Sequence, residues 1–149
     1  MCMLKVLIAE DNRVIAKLIE DTLVEHGYEV CGIARDVAEA VALARSHKPD
    51  LAVIDQQLVV GELDIEITAE LGTLDGMGIL YTTGYVSYIK LTASDGRACL
   101  AKPYRPDELL RSLEIVAEIV STGRASPPFP RGFQVLPSAT IAPREPRYE

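Results

Sequence analysis

Four short segments of the chain end in residues that can act together. Glu10-Asp11 follows Leu4 to Ala9, Asp55 closes Leu51-Ala52-Val53-Ile54, Thr83 closes the run from Gly78, and Lys102 follows Ala98 to Ala101. Three carboxylates brought together repel one another unless a cation neutralises them. An all-oxygen set of this kind suits a hard ion such as Mg²⁺, which takes few carboxylates and keeps several waters. Lysine adds a point charge and threonine a hydroxyl donor, both suited to phosphoryl oxygens. An aspartate in that company can act as a nucleophile and form an aspartyl phosphate. Singly, each residue has a plainer use. Asp55 can cap a turn, Glu10 and Asp11 can complement a helix dipole, Thr83 can be a turn hydroxyl and Lys102 a solvated surface charge.

For these residues to meet, the segments that carry them must be parallel strands sharing one edge. Leu51 to Asp55 is a short apolar run between Lys48-Pro49-Asp50 and Gln56-Gln57, the pattern of a buried strand. Leu4–Ala9, Tyr28–Ala34, Gly78–Gly84 and Ala98–Ala101 read the same way. Between them lie helical patterns. Val14, Ile15, Leu18, Ile19 and Leu23 form an apolar stripe that Asp11 or Asn12 can cap and Gly27 can close. Asp36 and Glu39 have capping-box spacing ahead of a helix running to about His47. Residues 64–71 and 85–94 predict two more helices. The last opens at Pro106-Asp107-Glu108 and turns Leu109, Leu110, Leu113, Val116, Ala117 and Val120 inward. Alternating strands and helices imply an α/β fold, a doubly wound parallel sheet with strand order 2-1-3-4-5. In that order ligands bind outside the C-terminal strand ends. His26 and His47 fall near helix C-termini, where the dipole favours them.

Composition narrows the function classes. The chain has 149 residues, 48% of them apolar, which predicts one domain with a sizeable core. Residues 1–122 carry 11 basic and 20 acidic side chains, a net charge of −9 that argues against direct nucleic-acid binding. Cys2, Cys31 and Cys99 have no CxxC spacing and fit reduced, small buried side chains better than a disulfide or zinc framework. The apolar N-terminal run ends in acids and is too short for a signal peptide, and no stretch approaches a membrane span. A cytoplasmic protein is expected. There is no GxGxxG after the first strand and no P-loop. A phosphatase with an aspartyl nucleophile would want a second aspartate where Gln57 stands.

Residues 123–149 read as a separate, proline-rich tail or arm, and the prolines alone would suit a disordered end. They hold six of the nine prolines and both phenylalanines, Phe129 and Phe133. Arg131-Gly132-Phe133-Gln134-Val135-Leu136 alternates apolar with polar, so the arm is expected to dock as an extended strand, on its own body or on a second copy. Phe129, Phe133, Val135 and Leu136 are the candidate dimer contacts.

Four motifs, in order, resemble the receiver domain of two-component response regulators: Val6-Leu7-Ile8-Ala9-Glu10-Asp11, Lys48-Pro49-Asp50-Leu51-Ala52-Val53-Ile54-Asp55, Tyr81-Thr82-Thr83-Gly84 and Lys102-Pro103-Tyr104. The similarity covers about residues 4–120 and implies a flavodoxin-like, CheY-like fold. It implies that Asp55 accepts a phosphoryl group from a sensor histidine kinase, and that Thr83 and Lys102 bind that group. Asp11, Asp55 and the backbone carbonyl of Gln57 would hold Mg²⁺, with Glu10 acting through a coordinated water. Lys102-Pro103 would be a cis junction. The chain would be a phosphoacceptor rather than an enzyme. Its output would be protein contact, homodimerisation or relay to a phosphotransfer protein. Gln57, two residues after Asp55, resembles receivers often paired with HWE-class kinases. Cys99 stands where an aromatic switch residue is common, which makes Tyr104 and Tyr85 the switch candidates. The alternative is a receiver-like scaffold that is never phosphorylated.

Overall fold

The computed structural model describes residues 3–55, 77–84 and 98–135. The elements run β1 (Lys5–Ala9), α1 (Arg13–Glu25), β2 (Glu29–Ala34), α2 (Val37–His47), β3 (Leu51–Asp55), β4 (Gly78–Thr83), β5 (Ala98–Ala101), α3 (Pro106–Thr122) and β6 (Phe133–Val135). The helices expected over 64–71 and 85–94 lie outside the described residues.

The strands form one sheet in the order β2-β1-β3-β4-β5-β6. The first five are parallel, in the expected order 2-1-3-4-5. β6 adds to the β5 edge in antiparallel sense. Residues 133–135 of the arm therefore dock on this chain's own β5. β3 is buried at every position, as an apolar run in a sheet covered on both faces must be.

Alternation along the strands splits the core into two layers. Leu7, Ala52, Ile54, Ile79, Tyr81 and Cys99 pack on one face with Ala40, Val41 and Ala44 of α2. Val6, Ile8, Leu51, Val53, Leu80 and Leu100 pack on the other, with Ile19 and Leu23 of α1 and Leu109, Leu113 and Val116 of α3. Gly78 is dictated by this second layer. A Cβ there would lie 2.6 Å from Val116 Cγ1 and 2.8 Å from Val120 Cγ2.

Local sequence sets the helix ends. Asn12 is the N-cap of α1, its Oδ1 accepting from the amides of Val14 and Ile15 at 3.0 and 3.1 Å. Asp36 caps α2 by accepting from Glu39 N at 2.8 Å. Glu39 closes a wider ring than a capping box, accepting from the amide of Arg35 at 2.7 Å, one residue before the cap. In α3, Glu108 reaches back to Arg105 N at 2.7 Å, and Gly123 ends the helix in the left-handed region at φ 78°.

The α1 stripe is narrower than its sequence suggests. Ala16, Ile19 and Leu23 are buried and Ile15 is half-buried, but Val14 and Leu18 are 69% and 62% exposed. At 100° per residue, positions 14 and 18 sit too far round the helix to reach the sheet. In α3, Leu109, Leu113 and Val116 are buried, while Leu110, Ala117 and Val120 are only half-buried.

Beyond α3 the arm is fastened by side chains. Glu118 Oε1 accepts from Ser126 N at 3.0 Å, and its Oε2 accepts from the Ser126 hydroxyl. Arg111 donates from Nη2 to Ser126 O at 2.7 Å and from Nε to Pro128 O at 3.0 Å. Arg111, Ile115, Glu118 and Thr122 share one stripe of α3, and Ile115 within it is fully buried.

Candidate functional site

Parallel pairing brings the chemistry to one edge. Register sets Asp55 opposite Thr82 and Thr83 opposite Ala101, so Lys102 leaves β5 just beyond Thr83. The backbone locks that placement, with Lys102 N donating to Thr83 O at 2.6 Å. Lys102-Pro103 is cis, as the resemblance implied. The Lys102 ammonium then lies 3.3 Å from Asp55 Oδ1. Asp55 and Thr83 are only 3% and 1% exposed, while the Lys102 side chain keeps 28% of its surface in solvent.

Glu10 and Asp11 reach the same place from the end of β1. Glu10 is buried and accepts from Asn12 N at 3.1 Å, so the residue that caps α1 also orients this carboxylate. Asp11 is exposed. One ligand oxygen from each of Glu10, Asp11 and Asp55 falls within 4.8 Å of the others. Burial is the main cause that pushes the Glu10 carboxyl up to about 7; the Asn12 amide and Lys102 oppose it, and Asp55 and Asp11 add to it. Three carboxylate oxygens so close together, two of them on buried side chains, concentrate negative charge at one point. A divalent cation would neutralise it, so the donor set fits Mg²⁺.

The residues named from sequence divide into four groups. Glu10, Asp11, Asp55, Thr83 and Lys102 meet at the strand ends. Gln57, Tyr85 and Leu136 lie outside the described residues. Phe129, Phe133 and Val135 belong to the arm, where the Phe129 and Phe133 rings stack at 6.0 Å and Phe133 packs against the core. Tyr104 is half-buried beside the site, its hydroxyl pushed up to about 12 first by burial and then by the charges of Glu10 and Asp55. Cys99 is buried among apolar side chains, which raises its thiol. Cys31 is half-buried, not fully buried as expected.

Sequence reasoning missed a groove next to Lys102. It encloses about 420 Å³ between α1 and the start of α3, lined by Ile15, Leu18, Ile19, Pro103, Tyr104 and Leu109 among others. Nothing in the sequence marked it, because Leu18 read as part of the stripe that α1 would bury. It also missed Arg111 and Glu118 as holders of the arm. Nothing in a charged pair seven residues apart on a helix tells what will lie across it.

Comparison with known proteins agrees with this geometry. A family model for the response regulator receiver domain matches residues 6–114. The chain is 32% identical over 114 residues to the transcriptional regulatory protein PdtaR of Mycobacterium tuberculosis, covering 74% of this chain and 55% of that protein. It thus spans about half the length of that relative. The fold is similar to a CheY-like receiver domain from Methanospirillum hungatei, with TM-score 0.69 and 25% identity over 83% of this chain and all of that one. It is also similar to PhyR of Bartonella quintana, an anti-anti-sigma factor, with TM-score 0.65 and 27% identity over 83% of this chain and 51% of that one. With its carboxylates, hydroxyl and lysine gathered at the ends of a 2-1-3-4-5 parallel sheet, the chain belongs to the response regulator receiver family of two-component systems.

Proposed function

We propose that Asp55 is the phosphoacceptor of a two-component relay, taking its phosphoryl group from a phosphohistidine on a sensor histidine kinase. The observation that carries this reading is the Lys102 ammonium 3.3 Å from the buried Asp55 carboxylate, beside Glu10 and Asp11. One Asp55 oxygen attacks phosphorus, the Oδ–P bond forms, and the P–N bond to the donor imidazole breaks. Lys102 balances the negative charge carried by the transferred group, and the Thr83 hydroxyl donates to one of its oxygens. Glu10, Asp11 and Asp55 would hold Mg²⁺, with the Gln57 carbonyl as a further ligand; when bound, the ion screens the charge of the carboxylates from the incoming phosphoryl group. The donor would approach over the apolar groove between α1 and Tyr104, where Val14 and Leu18 offer exposed apolar surface to a partner helix.

Output would come through protein contact, either with a second copy or with a downstream phosphotransfer protein. The arm is the segment best placed to carry it, because it joins the sheet next to Lys102. Acetyl phosphate with Mg²⁺, followed by intact mass, tests the acceptor. One phosphoryl group should appear on the wild type and none on Asp55→Ala. A wild type that gains nothing favours the scaffold reading instead.

A further inference from the structure

The β5 strand ends in two consecutive residues with opposite obligations. Ala101 N donates outward to Gly132 O of the arm at 2.9 Å, and Lys102 N donates inward to Thr83 O at 2.6 Å. The contact on the arm side has no slack. Gly132 sits at φ 81°, and a Cβ there would lie 3.1 Å from Ala101 Cβ. Just beyond it, Phe133 pairs with Leu100 and packs against the core layer that holds Leu109 and Leu113. The arm is thus pinned at the strand end that carries the ammonium facing Asp55.

We propose that the arm is an intramolecular latch whose docking on β5 opposes phosphorylation of Asp55. This rests on the acceptor reading of Asp55. In the structure Lys102 Nζ is within 3.3 Å of Asp55 Oδ1. A phosphoryl group on Asp55 occupies that space, and Lys102 must withdraw to reach the phosphoryl oxygens. Its amide is tied to Thr83 and its neighbour's amide to Gly132, and the latch requires that the end of β5 take up part of this shift rather than the lysine side chain alone. The Ala101–Gly132 contact, which a single methyl group would overfill, is where that movement has least room. The arm loosens from Gly132 along β6, and the clasps on its root, Arg111 and Glu118 of α3, weaken with it. Coupling of this kind is reciprocal, so whatever loosens the arm must favour the phosphorylated state by the same factor.

The test uses the full chain with Mg²⁺. After acetyl phosphate, intact mass establishes the phosphoryl group, and hydrogen exchange is followed in peptides covering 98–101 and 126–135. Exchange there should quicken on the order of tenfold, within the usual range of such couplings, while β1 and β3 stay protected. Gly132→Ala, and separately Arg111→Gln, should tighten binding of beryllium fluoride, a phosphoryl mimic, by a similar factor. Two substitutions on different elements guard against a single misfolded variant. Phosphorylated protein with unchanged or slower exchange in those peptides overturns the latch, as does wild-type beryllium fluoride affinity in both variants. Absence of the mass gain overturns the acceptor reading itself, and the latch with it.

Discussion

Glu10 is where the acidity of the site becomes measurable. Its carboxyl is raised from 4.5 to about 7, facing Asp55, Asp11, Lys102 and the Asn12 amide. Between those values the folded chain holds a proton that the unfolded chain has lost. The unfolded state binds fewer protons, so stability of the metal-free protein should fall as pH rises through this window. Melting temperatures between pH 4.5 and 8 should show the fall, and Glu10→Gln should flatten it. Mg²⁺ would compete with that proton, so its affinity should climb as pH passes about 7, which calorimetry at several pH values would measure. Lys102→Ala separates charge from ligation. It should still bind Mg²⁺, yet lose roughly 10²–10³-fold in phosphorylation rate, as when a group aimed at transition-state charge is removed. Equal rates for the two proteins would remove Lys102 from the chemistry. These residues were legible in sequence because each closes an apolar run. Tyr104 was visible only as a name in a motif, and its placement in the field of Glu10 and Asp55 needed the fold.

Elements carry the positions of those residues, and small residues set how closely the elements meet. Gly78 starts β4 under α3, with Val116 Cγ1 and Val120 Cγ2 inside the reach of any Cβ. Gly78→Ala should cost about 1–3 kcal/mol, the usual penalty of overpacking, and chemical denaturation would show it as a lowered midpoint. Asn12→Ala should cost about 1 kcal/mol of helix capping. It keeps the Asn12 amide that Glu10 accepts from, so the carboxylate should keep its place. The strands and their order were readable from apolar runs and turn residues. The α1 stripe was overread, because periodicity gives a helix face but not how much of it a sheet can cover. Positions 15, 19 and 23 reach the core, and 14 and 18 do not. The Asp36 box was half right for a similar reason: spacing named Glu39, but only geometry shows that its carboxylate reaches past Asp36 to Arg35.

At the scale of the whole molecule, the parallel sheet ends on a reversed strand. The alternation in 131–136 announced an extended arm, but could not choose between its own body and a second copy, since both offer the same β5 edge. In the structure residues 133–135 lie along this chain's own β5, and Arg111 and Glu118 of α3 hold Ser126 and Pro128. Deleting residues 124–149 should therefore uncover an apolar strand edge and release Arg111 and Glu118 of α3 from their arm partners. Such edges pair with others, so the shortened chain should associate with rising concentration, which light scattering would detect. A truncated protein that stays monomeric at all concentrations would show that the arm guards nothing.

The direction of β6 also decides how the arm responds to a pull. Because it runs opposite to β5, the end nearest the C-terminus, Val135, pairs with Ala98, and Gly132 meets Ala101. Tension applied from the C-terminal side loads these contacts one after another. Val135 parts first and Gly132 last, so the strand peels like a zipper and its final tooth is the one beside Lys102.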